Sequence, residues 1–226
     1  MLFRLPKPLH GWREFVHEVI IVVIGVMLAL AGAELVDTLH WQNEAQGFSK
    51  AVEYELGLDL GTYHATIMQR PCVTRRLAEL ERYLAASSAG HQLTLQGRIG
   101  FPKRYSLYSS VWNSRGADVT AHLPGESRLQ YAELYDEFAN DAALALTERE
   151  VWRELADYDQ PEPLDHADRR HLRGLLTRAE QLNEVTISNY GFMLRLTRTL
   201  GIHPLGEADL VKLSADESFC QPLLAK

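Results

Sequence analysis

Nine histidines, two cysteines and a group of aromatic and arginine side chains are the residues of this chain equipped to do chemistry. His166 and His171 stand five apart, so on a helix they point to different sides, unlike an i, i+4 pair of zinc ligands. Asp165, His166 and Asp168 fall where a helix should start, and acids there already serve the free N–H groups and the helix dipole. No metal and no cofactor are expected. The sequence lacks a Gly-x-Ser-x-Gly elbow, a phosphate-cradling glycine loop and a Cys–His nucleophile signature, so no catalytic residue is assigned and the expectation is a non-enzyme.

One group has the character of a binding site. On a helix over residues 105–115, ended by Gly116, Tyr105, Tyr108 and Trp112 share a face beside Arg104 and Arg115. That face could form an aromatic cradle for a small ligand; packing against neighbouring helices accounts for the same residues. The acids Glu53 and Glu55, like Glu148 and Glu150, are two apart and are read as solvated faces. Cys72 and Cys220 have neither metal-knuckle nor redox spacing. In an oxidising compartment they would form one disulfide, and otherwise two unpaired thiols.

The element that must position all of this begins in an apolar run. Residues 19–33 hold no charged or hydrogen-bonding side chain, and residues 15–36 are interrupted only by His17, Glu18 and Glu34. At about 1.5 Å per residue those 22 residues reach roughly 33 Å, enough to cross a hydrocarbon core of about 30 Å. Arg4, Lys7 and Arg13 precede the run, whereas residues from Glu34 onward carry 20 basic and 28 acidic side chains. The expected topology is therefore a cytoplasmic N-terminus (residues 1–17), a transmembrane helix (18–36), a periplasmic domain (37–201) and a tail (202–226), in a bacterial inner membrane. Trp12 and Trp41 flank the run at headgroup level. A cleaved signal peptide is the competing reading, since Ala29-Leu30-Ala31 and Ala31-Gly32-Ala33 fit a cleavage pattern. The acids Glu14 and Glu18, and a helical pattern that runs on past the cut, favour the anchor.

Within the run, Gly25, Ala29 and Ala33 recur every four residues, and Gly25, Ala29 and Gly32 lie on a heptad-like seam with Glu18. Such small residues let two helices approach closely, so a homo-oligomer is expected. Glu18 sits at the edge of the run, at headgroup level or as an ionisable group facing a helix interface. The formal net charge of −7 argues against nucleic acid and against an anionic surface as partner.

Apolar spacing is helical almost throughout. A stripe from Trp41 through Val52, Leu56, Leu60 and Tyr63 to Ile67 extends the apolar helix to Pro71, which is expected to break it. Val73, Leu77, Leu80 and Leu84 mark a second helix, closed by a turn over residues 87–90. Residues 92–102 are ambiguous, with partial alternation weakened by two glycines. Further helices are expected from Pro124, from a capping box at Thr147–Glu150, and from Asp165 to Gly201, with a Pro161–Pro163 connector and a short helix near residues 207–213. The fold class is all-α: a transmembrane helix continuing into an antiparallel helical bundle.

Arg13-Glu14-Phe15, the run from Glu18 to Leu30, and Trp41-Gln42-Asn43-Glu44 resemble an uncharacterised group of bacterial single-span membrane proteins. In that group a Glu-initiated Val/Ile-rich span is followed by a Trp-containing polar helix. A looser likeness covers Ser110-Val111-Trp112 to Gly116 and residues 129–135. The resemblance implies topology and a helical exported domain, with no activity attached.

These readings point to a membrane-anchored scaffold or sensor, with the bilayer, a second copy and another membrane or periplasmic protein as partners. Two rivals stand beside it: a periplasmic ligand binder or enzyme using the Tyr105–Trp112 face, and a subunit of an ion-driven complex in which Glu18 exchanges a proton. For the cysteines, Pro71 is expected at the end of the bundle far from the membrane. The helix from Asp165 should then start near the membrane and finish far from it, bringing Cys220 within about 7 Å of Cys72.

Overall fold

The computed structural model describes residues 11–91, 93–159, 163–206 and 217–224. The protein is all-α, built on three long helical rods. The first comprises α1 (Trp12–Met68) and α2 (Arg70–Ser88). The second is α5 (Gly125–Ala156), prolonged by a 3-10 turn at Asp157–Asp159, and the third is α6 (His166–Leu200). Short helices α3 (Ser110–Asn113), α4 (Ala117–Ala121) and α7 (Glu217–Cys220) fill the connections.

As expected from Pro71, the first rod is divided beside it: α1 ends at Met68 and α2 begins at Arg70. Gln69 keeps right-handed helical angles (φ −87°, ψ −13°), and Pro71 sits in the first turn of α2. A proline there forfeits a donor that the start of a helix does not use. The N–H groups of Cys72 and Val73 both donate to the Gln69 carbonyl, so helical bonding resumes at once. The far end of the rod is therefore at Ser88, where Ala89 and Gly90 (φ +78°) turn the chain.

Along residues 12–40 the described side chains of α1 are almost all exposed, including Val19 to Ile24, Leu28, Leu30 and Val36. This part is long and apolar enough to cross a membrane. Burial begins at Ala45 and continues through Val52, Leu56, Leu60 and Tyr63, the stripe expected from the spacing. The domain thus hangs on one end of a helix whose other end packs against no other element among the described residues.

Helix α6 opens on a capping box. The Asp165 carboxylate accepts from the N–H groups of Ala167 and Asp168, and the Asp168 carboxylate accepts from the Asp165 N–H. It closes on Gly201 at φ +70°, the left-handed cap that glycine adopts without strain. Its direction is opposite to the one expected from the disulfide argument. Tyr63 bonds to Thr186 and Arg70 to Asn183, so α6 starts beside α2 and descends to finish near Gly57, where the Leu205 N–H donates to the Gly57 carbonyl. The following chain reverses, and Phe219 to Leu223 lie beside Arg76 and Glu79.

Thr147 does not start a helix. It lies inside α5, where its hydroxyl donates to the Ala143 carbonyl, and the rod runs unbroken through it. A capping-box pattern is informative only where the chain has a free end, and Val151 and Trp152 continue the buried face without one. Rod α5 runs parallel to α1 and α2, and α6 antiparallel to both, because an extended strap over residues 93–109 makes the return. Among the described residues the sole β-type pairing is an isolated antiparallel bridge between Leu95 and Leu224. Arg4, Lys7, Pro161 and the short helix expected near 207–213 lie outside the described residues.

The interior has two apolar cores. One, at the far end, gathers Leu77, Leu80, Trp152, Leu172, Leu176, Phe219 and Leu223. The other, at the near end, gathers Leu56, Leu60, Trp112, Leu134, Tyr135, Phe138 and Met193. A layer of buried charges separates them.

Candidate functional site

That layer is made by two arginines and two acids. Arg70 Nη1 donates to Glu148 Oε1 at 2.6 Å, and Arg104 Nε donates to Glu148 Oε2 at 2.7 Å. Arg104 also reaches Asp141 at 3.3 Å and the Thr186 hydroxyl at 3.0 Å. Glu148 is buried, with 1% of its surface exposed, which would be costly for a lone carboxylate. Burial alone would raise its pKa, but the two guanidiniums hold it below the usual carboxylate range. Asp141 goes the other way: burial pushes its carboxyl up further than Arg104 and Tyr63 pull it down. With two positive and two negative groups, the layer is close to neutral as a unit.

Arg104 arrives on the strap, not on a helix. The expected helix over residues 105–115 is absent; the chain is extended to Ser109, and α3 occupies only four residues. An extended segment without strand partners must satisfy its backbone groups with side chains, and α1 and α2 supply them. Arg76 donates to the Arg98 carbonyl at 3.3 Å, and Gln69 takes the Lys103 N–H at 3.1 Å. Asp59 takes the Tyr108 N–H at 2.7 Å. Glu55 accepts from the Ser110 hydroxyl and the Val111 N–H, both at 3.0 Å, and from the Tyr135 hydroxyl at 2.6 Å. From α5's side, Asp159 takes the Ile99 N–H at 2.7 Å.

Glu55 and Glu148 are therefore buried, hydrogen-bonded parts of the frame, not the solvated faces expected of them. Glu55, Asp59, Thr62, Thr66 and Gln69 are all buried and alternate in steps of four and three. Carried on, the same seam reaches Val73 and Arg76. That periodicity was available in the sequence and marks a polar seam facing another segment. Burial tends to raise the Glu55 carboxyl, but its four hydrogen bonds outweigh this and hold it low. Asp59 has only one such bond, its Oδ2 is buried without a partner, and Glu55 lies close. Burial, with Glu55's charge adding to it, pushes its pKa up to about 7.

The strap leaves a cleft of about 570 Å³ against α5, walled by Phe101, Pro102 and Tyr105 on one side and by Ala145, Trp152 and Ala156 on the other. Arg149 and Arg153 stand on its α5 side. A smaller cleft of about 220 Å³ opens on the other side of Arg104 and Tyr105, near Tyr63 and Asp141.

The five residues expected on one ligand-binding face are dispersed. Arg104 is drawn into the charged layer and Tyr105 borders both clefts. Tyr108 is exposed. Trp112 is core, stacked on Tyr135 at 5.0 Å with the Arg115 guanidinium 4.2 Å over its ring. The helix that would have aligned them does not form, because the strap's backbone finds better partners on α1.

Cys72 and Cys220 are joined in a disulfide with Cα atoms 5.0 Å apart. Cys220, on α7, meets Cys72 at the start of α2, whereas α6 ends near Gly57. Gly25, Ala29, Gly32 and Ala33 are on the exposed part of α1, with open space around Gly25 and Gly32, and Glu18 is exposed on the same stretch. No protein-family model, curated protein or solved structure matches this chain.

Proposed function

We propose that the chain crosses a bacterial inner membrane once, at residues 18–36, and presents a helical scaffolding or sensing domain to the periplasm. Its span would pair with that of a second copy. The observation that carries this reading is the stretch of α1 from Trp12 to His40, whose large apolar side chains touch no part of the fold. A bilayer is the solvent that suits so long an apolar surface on a single helix. The disulfide favours an oxidising compartment for the domain, and the basic residues before the span favour a cytoplasmic N-terminus. The open faces of Gly25 and Gly32 suit close helix pairing.

The test uses the full chain in native membranes, with the Cys72–Cys220 disulfide kept and Gly25→Cys or Ala29→Cys added. Oxidation should give a dimer that a reductant releases. A strictly monomeric product would remove the self-association. Labelling of an added cysteine at Ser114 from the cytoplasmic side alone would overturn the topology.

A further inference from the structure

We propose that the cleft between the strap and α5 is a binding site for a small apolar monocarboxylate. This does not depend on whether the span pairs. Its walls are apolar side chains: the Trp152 ring, Phe101 and Pro102, with Ala145 and Ala156 leaving the room that larger residues would fill. At about 570 Å³ it lies within the usual range for small-molecule sites. Phe101 is 63% exposed, a large aromatic held at the lip of a cleft rather than in either core. Trp152 is fully buried, yet its indole N–H has no acceptor among the described residues.

The charges choose the ligand. The protein carries a net −7, yet the charged groups facing this cleft from α5 that have no ion-pair partner among the described residues are the cations Arg149 and Arg153. They are four residues apart, so on one helix face their guanidiniums can close on a single anion. Glu148, the one acid on the cleft, is engaged by both Arg70 and Arg104 and is not available to repel an anion or attract a cation. Glu154 points away, toward His171 at 3.5 Å. A carboxylate against the arginines, with its hydrocarbon body against Phe101, Pro102 and the two alanines, satisfies both halves of the cleft. An inorganic anion would leave the apolar half unused.

Calorimetric titration of the full chain in phosphatidylcholine discs, against empty discs, tests this with 2-naphthoate and its neutral analogue 2-naphthamide. Naphthoate should bind saturably. The double substitution Arg149→Gln, Arg153→Gln, at two exposed sites, should weaken naphthoate by about tenfold or more while leaving the amide within about twofold. Ala145→Phe, which fills the cleft from one wall, should remove the binding of both. Absence of saturable naphthoate binding would overturn the proposal. So would equal losses for acid and amide in the arginine variant, or undiminished binding in the Ala145→Phe chain.

Discussion

Asp59 offers the sharpest test of how the strap is held. Its side chain is fully buried, Oδ1 takes the Tyr108 N–H, and Oδ2 has no partner. The groups facing it are the Glu55 carboxylate, on its own helix, and the Tyr135 hydroxyl from α5. In the folded chain it titrates at about 7, chiefly through burial; in the unfolded chain it would titrate near the ordinary value of about 3.9. Between those values the folded state keeps a proton that the unfolded state releases. Asp59's contribution to stability is thus full below about pH 4, declines as pH rises, and is gone above about pH 7. The whole swing is at most about 4 kcal/mol, since each tenfold change in proton affinity is worth about 1.4 kcal/mol. Asp59→Asn keeps an oxygen for the Tyr108 N–H and removes the ionisation. It should therefore stabilise the protein by about 1–4 kcal/mol near pH 8 and change little near pH 4. Urea unfolding of the full chain in detergent, disulfide intact and followed by tryptophan emission, gives both numbers. Glu55, held low, works in the opposite sense, losing its contribution as pH falls, but it is common to both proteins and cancels in the difference. An equal effect at both pH values, or a loss of stability near pH 8, would refute the argument.

Other substitutions probe other joints. Glu148→Gln leaves Arg70 and Arg104 buried against Asp141 alone and should cost about 3–5 kcal/mol in the same unfolding assay. At Gly61 a Cβ would collide with the backbone carbonyl of Leu205, which cannot swing aside as a side chain could. Gly61→Ala should therefore lose about 1–3 kcal/mol and speed amide exchange at Leu205, whereas Gly47→Ala, with open space around it in the same helix, should gain up to about 1 kcal/mol. Breaking the disulfide by Cys220→Ser opens a loop spanning 148 residues and should lower stability by at most about 5 kcal/mol.

What could be read from the sequence was what depends on near neighbours. The Asp165 cap, the Gly201 stop, the turn at Gly90 and the Val52–Tyr63 stripe follow from contacts within a turn or two of helix, and each stands where its residues indicate. The division beside Pro71 is legible too, but not that α2 restarts at once, because a proline that ends a helix and a proline in a first turn look the same in sequence. The restart rests on Gln69, which keeps helical angles and is tied to Lys103 of the strap by two hydrogen bonds. The strap itself was illegible for a related reason. Residues 105–115 have helical spacing, and only acceptors 34 to 56 residues away draw the N–H groups of Lys103, Tyr108 and Val111 out of a helix. Of the site, Arg104 and Tyr105 were named in advance. Trp152 and Arg149 were not, since the cleft they line exists only once the strap is laid against α5.

The joint between α1 and the domain has a mechanical meaning. From the exposed apolar stretch to the first buried side chain, Ala45, the backbone is one uninterrupted helix, with no linker in which a twist could be absorbed. Residues 12–40 stand on the same helix as Glu55 and Asp59, the side chains on which the strap hangs. Turning the helix by one residue's worth, about 100°, would aim that polar seam away from the strap altogether. The apolar end and the side chains that hold the strap thus share one continuous helix, so the angle of one about the helix axis fixes the angle of the other.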